Sequence, residues 1–163
     1  GYDRFASGSG EDDGSADGIA YGFALGYDFN LDSIVLGIEA EITDSSVSAT
    51  TTDVLEDVDA FALAAGRDIY AGLRIGVKVS DKAMVFAKGG YTNQRFTLAY
   101  TTDDEVEKTG GNSDGWRLGA GIEFDLGQPF ARIEYRYSDY GAFADADFDS
   151  SRHQAMMTAG LRF

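Results

Sequence analysis

Residues Ile19–Phe29 read IAYGFALGYDF, and the alternation in that stretch decides the fold. Every second residue is large and apolar: Ile19, Tyr21, Phe23, Leu25, Tyr27 and Phe29. Between them stand Ala20, Gly22, Ala24, Gly26 and Asp28. A β-strand sends successive side chains to opposite faces, so one face here is an apolar wall and the other is small or charged. A half-buried strand of a water-soluble sheet also alternates. The residues of the minority face separate the two cases. Gly, Ala and single charges suit the crowded interior of a narrow barrel better than a solvated surface. The large apolar side chains then point outward, which only lipid makes favourable.

Six further segments repeat the pattern: Ile34–Ile42, Ile69–Val79, Ala83–Tyr91, Trp116–Leu126, Ala131–Tyr137 and Ala155–Phe163. Most are close to the ~9–11 residues that a tilted strand needs to cross a bilayer. Tight turns fall at Asn30–Ser33, Ser80–Lys82 and Gly127–Pro129. Between them lie long polar stretches, near 7–18, 43–60, 101–114 and 139–152. Short turns at one end and long loops at the other are the pattern of a transmembrane barrel. Seven strands is an odd count, whereas bacterial single-chain barrels have even numbers. The opening GYDRFA, Gly1–Ala6, reads as the end of an eighth strand. The expected fold is therefore all-β: one eight-stranded antiparallel up-and-down transmembrane barrel over residues 1–163, its first strand truncated at the N-terminus.

Composition agrees with that reading. The chain has no Cys and a single Pro among 163 residues, so disulfides and cysteine metal sites are excluded. No apolar run approaches the ~18 residues of a membrane helix. A barrel escapes such scans because half of each strand faces a polar lumen. The net charge of −15 argues against nucleic acid, which requires a basic patch. The four polar stretches hold 18 acids and two bases, Lys108 and Arg152, so nearly all the excess charge sits at one rim. The lumen-facing residues are close to balanced, with Asp28, Glu39, Glu41, Glu123, Asp125 and Glu134 against Arg74, Lys78, Lys88, Arg117, Arg132, Arg136 and Arg162.

The chain resembles the small eight-stranded outer-membrane β-barrel proteins of Gram-negative bacteria, the porin-like surface-antigen family. The residues that carry the resemblance are GYDF (Gly26–Phe29), LGIEAEI (Leu36–Ile42), GLRIG (Gly72–Gly76), KGGYT (Lys88–Thr92), WRLGAGIEF (Trp116–Phe124), RIEYRYSDYG (Arg132–Gly141) and AGLRF (Ala159–Phe163). The resemblance implies an outer-membrane location with termini in the periplasm and long loops outside the cell. It also implies that the C-terminal aromatic strand ending in Phe163 is an assembly signal for the barrel assembly machinery. Partners implied or expected are outer-membrane lipid and lipopolysaccharide, and neighbouring barrels or envelope proteins.

The interior of an eight-stranded barrel is just filled by side chains, so the lumen charges are expected to be structural. Glu39, Arg74 and Lys88 sit five or six residues above the turns, with Glu134 and Arg136 at similar height and Glu123 nearby. They are expected to form one paired network. Outward aromatics fall into two belts, Tyr27, Phe29 and Phe124 near the turns and Tyr91, Trp116, Tyr135 and Tyr137 nearer the loops. Such rings anchor a barrel at both interfaces. Asp145, Asp147 and Asp149 have the first spacings of a calcium loop but lack its Gly and its closing Glu. They are weak candidates for loosely bound Ca²⁺ or Mg²⁺, and no other metal or cofactor is expected. The single His153, beside Ser150 and Ser151, is thin support for an enzyme, since a triad is recognised by geometry. The expected function is that of a non-enzymatic surface-interaction barrel with a plugged lumen. The alternatives are a narrow channel for small solutes, a barrel enzyme and a soluble ligand-binding barrel.

Overall fold

In the computed structural model, residues 1–7, 14–52, 60–101, 106–140 and 150–162 are described. Apart from tight turns they are extended. The strands are β1 (Tyr2–Ser7), β2 (Gly14–Leu31), β3 (Ile34–Ser45), β4 (Ser48–Thr52), β5 (Ala60–Ser80), β6 (Ala83–Thr101), β7 (Val106–Asp125), β8 (Pro129–Tyr140) and β9 (Ser150–Leu161). Every pairing is antiparallel; apart from β3 with β5 they join sequence neighbours, and β1 pairs with β9 to close the ring. β4 continues β3 along the same edge of β5, so the nine segments make eight staves. The fold is the expected antiparallel barrel.

The barrel is inverted relative to a water-soluble protein. Phe23, Leu25 and Met157 are 84%, 80% and 78% exposed on the outer wall, while Glu134, Arg117 and Arg152 are buried inside. Along β3 the burial alternates without a break from Ile34 to Asp44. The buried apolar cluster amounts to Val35, Met84 and Phe86. The outward apolar set on β5 runs from Ile69 to Val79. Ten steps at ~3.3 Å, tilted about 40°, span about 25 Å along the axis, the height of a lipid-facing band.

The turn end is tight. Leu31 pairs with Ile34 and Ser80 with Ala83, leaving two-residue connections. Asp32 takes φ 51°, a left-handed conformation that Asp tolerates, and Gly127 takes φ 105° in the third turn.

At the other end the strands run further than the sequence pattern implies. β2 begins at Gly14, β3 and β4 reach Thr52, β6 reaches Thr101 and β7 begins at Val106. Much of the four polar stretches is therefore strand rather than loop. Beyond the apolar band these stretches are mostly polar in sequence, so alternation fades while the backbone ladder continues. β1 pairs with β2 and β9 in the loop half.

Candidate functional site

The inward positions of all the long strands converge on one chain of ion pairs. At its centre the Lys88 ammonium lies 2.8 Å from Glu39, 2.6 Å from Glu41 and 2.7 Å from Glu134. Arg136 bridges Glu134 at 2.7 Å and Glu41 at 2.8 Å. Toward the turns, Arg132 joins Glu39 at 2.6 Å to Glu123 at 2.8 Å, and Arg74 joins Glu123 at 2.7 Å to Asp28 at 2.6 Å. Arg162 ends this branch on Glu123 and Asp125. Toward the loops, Arg117 meets Asp68 and approaches Glu41 at 3.5 Å. Arg152 joins Asp68 at 2.7 Å to Asp3 at 2.6 Å. Charges removed from water are tolerable when each has partners of opposite sign and satisfied hydrogen bonds.

Two aromatic rings lie inside this network. Lys88 and Arg117 stand 4.9 and 5.4 Å from the Tyr70 ring, and Arg132 and Arg74 stand 4.9 and 5.5 Å from Phe86. Cation–π attraction of this kind is strengthened by desolvation. Gly119 admits the central cluster. A Cβ there would lie 2.9 Å from the Glu134 carboxylate and 3.2 Å from the Lys88 stem.

Carboxylate oxygens of Glu39, Glu41 and Glu134 come within 4.8 Å of one another, a grouping that resembles a divalent-cation cage. The Lys88 ammonium already fills its centre, so the protein supplies its own cation there.

Of the residues expected to meet, Glu39, Lys88, Glu134 and Arg136 share one cluster. Arg74 and Glu123 form the layer nearer the turns, linked to it through Arg132. Lys78, read as lumen-facing, is exposed at the turn end. Sequence reasoning missed Asp3 and Asp68 and placed Arg152 in a loop. All three lie just past the apolar alternation, and parity would have found them. Asp68 continues the inward series of Tyr70 and Arg74, and Arg152 that of Gln154 and Met156.

The belt aromatics are all on the outer surface. Tyr27 and Phe29 meet edge to face at 4.9 Å, and Phe124 is exposed near the same end. At the upper belt Trp116 packs 5.5 Å from Tyr137, with Tyr91 and Tyr135 exposed. His153 belongs to this belt, its Nδ1 2.6 Å from the Tyr135 hydroxyl and its ring 5.1 Å from Tyr137. Above the belt, Asp114 accepts hydrogen bonds from the Tyr91 hydroxyl and, at 2.7 Å, from Asn93. Those bonds hold its carboxyl below the usual carboxylate range. Asp145, Asp147, Asp149 and Phe163 lie outside the described residues.

The protein-family model described as outer membrane protein beta-barrel domain matches residues 1–163. No curated protein matches the chain. Among solved structures, Ail, the attachment invasion locus protein of Yersinia pestis, matches with TM-score 0.52 in its complex with the heparin analogue sucrose octasulfate. It shares 12% identity over 99% of this chain and 94% of that one. Neisserial surface protein A matches with TM-score 0.56 and 12% identity over 99% of this chain and 93% of that one. At such identities the likeness is one of fold. The family model, spanning the whole sequence, carries the assignment: the chain belongs to the outer membrane protein β-barrel family.

Proposed function

We propose that this protein is a non-enzymatic surface scaffold of the outer membrane, its lumen closed by the ion network and its acidic loops turned outside the cell. In this reading the termini face the periplasm, and the barrel assembly machinery inserts the chain. The observation that carries it is the branched chain of ion pairs from Asp125 near the turns to Asp3 near the loops. An eight-stranded barrel has room for these side chains and little else. With the lumen occupied, interaction falls to the loops, and their charge decides the partner.

The four polar stretches carry 18 acids, and of their two bases Arg152 is turned into the lumen, so the loop end attracts cations and basic surfaces. Ail was crystallised with a sulfated polyanion. The acidic rim of this chain repels such a ligand, so the shared fold does not carry that preference across. The competing reading is a narrow solute channel, which needs an open path past the ion network.

Single-barrel conductance in planar bilayers separates the two. The scaffold reading expects no resolvable current steps, and reproducible steps of fixed size would establish the channel instead. Its second half is tested by binding to vesicle-embedded protein. A polylysine probe should bind at low salt and release at high salt, whereas sucrose octasulfate should not bind. The opposite preference would overturn the acidic-rim reading.

A further inference from the structure

Around the ring, the first polar side chains outside the apolar band form a collar. Asp17, Asp44, Asp114 and Asp139 supply it on β2, β3, β7 and β8. Arg4 on β1 is offset by Asp17 at 3.9 Å. Asp114 is engaged by Tyr91 and Asn93. On β5 and β6 the sign reverses. Arg67 stands just past Ile69, and Arg95 follows Tyr91 and Asn93 on the outward face; both are exposed. Neither has an ion pair or hydrogen bond from its side chain to any described residue.

The backbone brings these two together. Asp68 pairs with Gln94 and Ala65 with Phe96, so a bulge places Gly66 and Arg67 opposite Arg95. Gln94 Nε2 donates to the Gly66 carbonyl at 2.6 Å and pins the bulge. Bulges re-aim side chains. Two like charges on neighbouring staves repel each other, and no carboxylate among the described residues pairs with either. At the height where a lipid headgroup would lie, a doubly negative phosphate monoester fits two guanidinium forks better than a singly charged diester does.

We propose that Arg67 and Arg95 form a docking site for the phosphate monoester of an outer-leaflet lipid. The assignment to the outer leaflet rests on the loops-outward orientation argued above. Bound there, the headgroup neutralises the one basic sector of the collar, and the lipid chains lie against Ile69 and Tyr91.

Native mass spectrometry of the folded protein in detergent tests this directly. The probes are phosphatidic acid, phosphatidylglycerol and diacylglycerol, which carry a phosphate monoester, a diester and no phosphate. Phosphatidic acid adducts should exceed those of diacylglycerol by at least about fivefold, with phosphatidylglycerol between. R67Q/R95Q should bring phosphatidic acid to the diacylglycerol level, R67K/R95K should retain part of the difference, and R4Q should leave it unchanged. Heat-modifiable gel mobility verifies that each variant is folded, and if R67Q/R95Q does not fold the comparison is made with R67Q and R95Q singly. Equal adducts in wild type and glutamine variants would overturn the site. Loss of phosphatidic acid adducts to equimolar inorganic phosphate would overturn the lipid as its occupant. Polylysine binding by the loops should be indifferent to R67Q/R95Q, so failure here leaves the scaffold reading standing, and conductance steps would sink that reading without touching this one.

Discussion

Arg152 and Asp3, 149 residues apart in sequence, form a two-pronged pair across the seam between the first and last strands. Arg152 Nε donates to Asp3 Oδ1 at 2.8 Å and Nη2 to Oδ2 at 2.6 Å, with both side chains fully buried. The pair joins β1 to β9, the two strands whose pairing closes the ring. Removing one partner of a buried pair costs ~3–5 kcal/mol, because the other is left buried and uncompensated. Asp3→Ala should therefore lower the urea midpoint in lipid vesicles clearly. The double variant Asp3→Leu with Arg152→Met should be no worse than Arg152→Met alone. A midpoint unmoved by Asp3→Ala would mean that Asp68 and Gln94 suffice to hold Arg152.

Lys88→Met removes the shared cation and leaves only arginine partners to Glu39, Glu41 and Glu134. Their mutual repulsion is relieved when protons bind, so the variant should refold into vesicles better at pH 5 than at pH 8. Wild type, with its ammonium in place, should show no such gain. Identical pH profiles for the two proteins would count against Lys88 as the compensating charge.

Leu73 and Leu118 are 67% and 55% exposed on the lipid-facing wall near mid-height. Arginine at a bilayer midplane costs ~2–4 kcal/mol in a barrel. Leu73→Arg and Leu118→Arg should each reduce the folded fraction in vesicles, read by heat-modifiable gel mobility. Full insertion of both would reverse the assigned orientation of the wall.

Gly119→Ala puts a methyl 2.9 Å from a Glu134 oxygen. Overpacking of this kind costs about 1–3 kcal/mol. Thermal unfolding should therefore be earlier than in wild type, whereas Ala120→Gly, on the outer face one residue away, should change packing in the lumen not at all. Equal melting of Gly119→Ala and wild type would show that the cluster has slack.

The acidic stretches near 53–59 and 145–149 should gain protection from proteases in millimolar Ca²⁺ and lose it with chelator, because divalent ions bridge carboxylates that otherwise repel. Added salt should shrink the difference, since the Debye length is about 8 Å at physiological ionic strength. Cleavage at the same rate with and without the ion would leave these acids as a solvated rim.

Much of the barrel was legible because the bilayer imposes a period of two on every residue it touches. Ile19–Phe29 and Ile69–Val79 announce inside and outside residue by residue. The signal ends where the lipid ends. Above Tyr91 and Trp116 the outer face turns polar, so the upper parts of β6 and β7 read as loop although their ladder continues to Thr101 and Val106. Asp68 and Arg152 were lost for the same reason. Glu39, Lys88 and Glu134 could be placed at one height by counting from the turns. That Arg132 links them to Arg74 could not, because the pairing of long side chains across a lumen depends on strand tilt and stagger rather than on sequence position.

Among the described residues few apolar side chains are buried, and Val35, Met84 and Phe86 are the ones that cluster. The folded ring gives its oily side chains no common interior in water, so the outer wall is stabilised only against lipid. Its −15 charge resists compaction and self-association. The ion pairs join side chains from strands on opposite sides of the ring, so they come together only as the ring of strands closes.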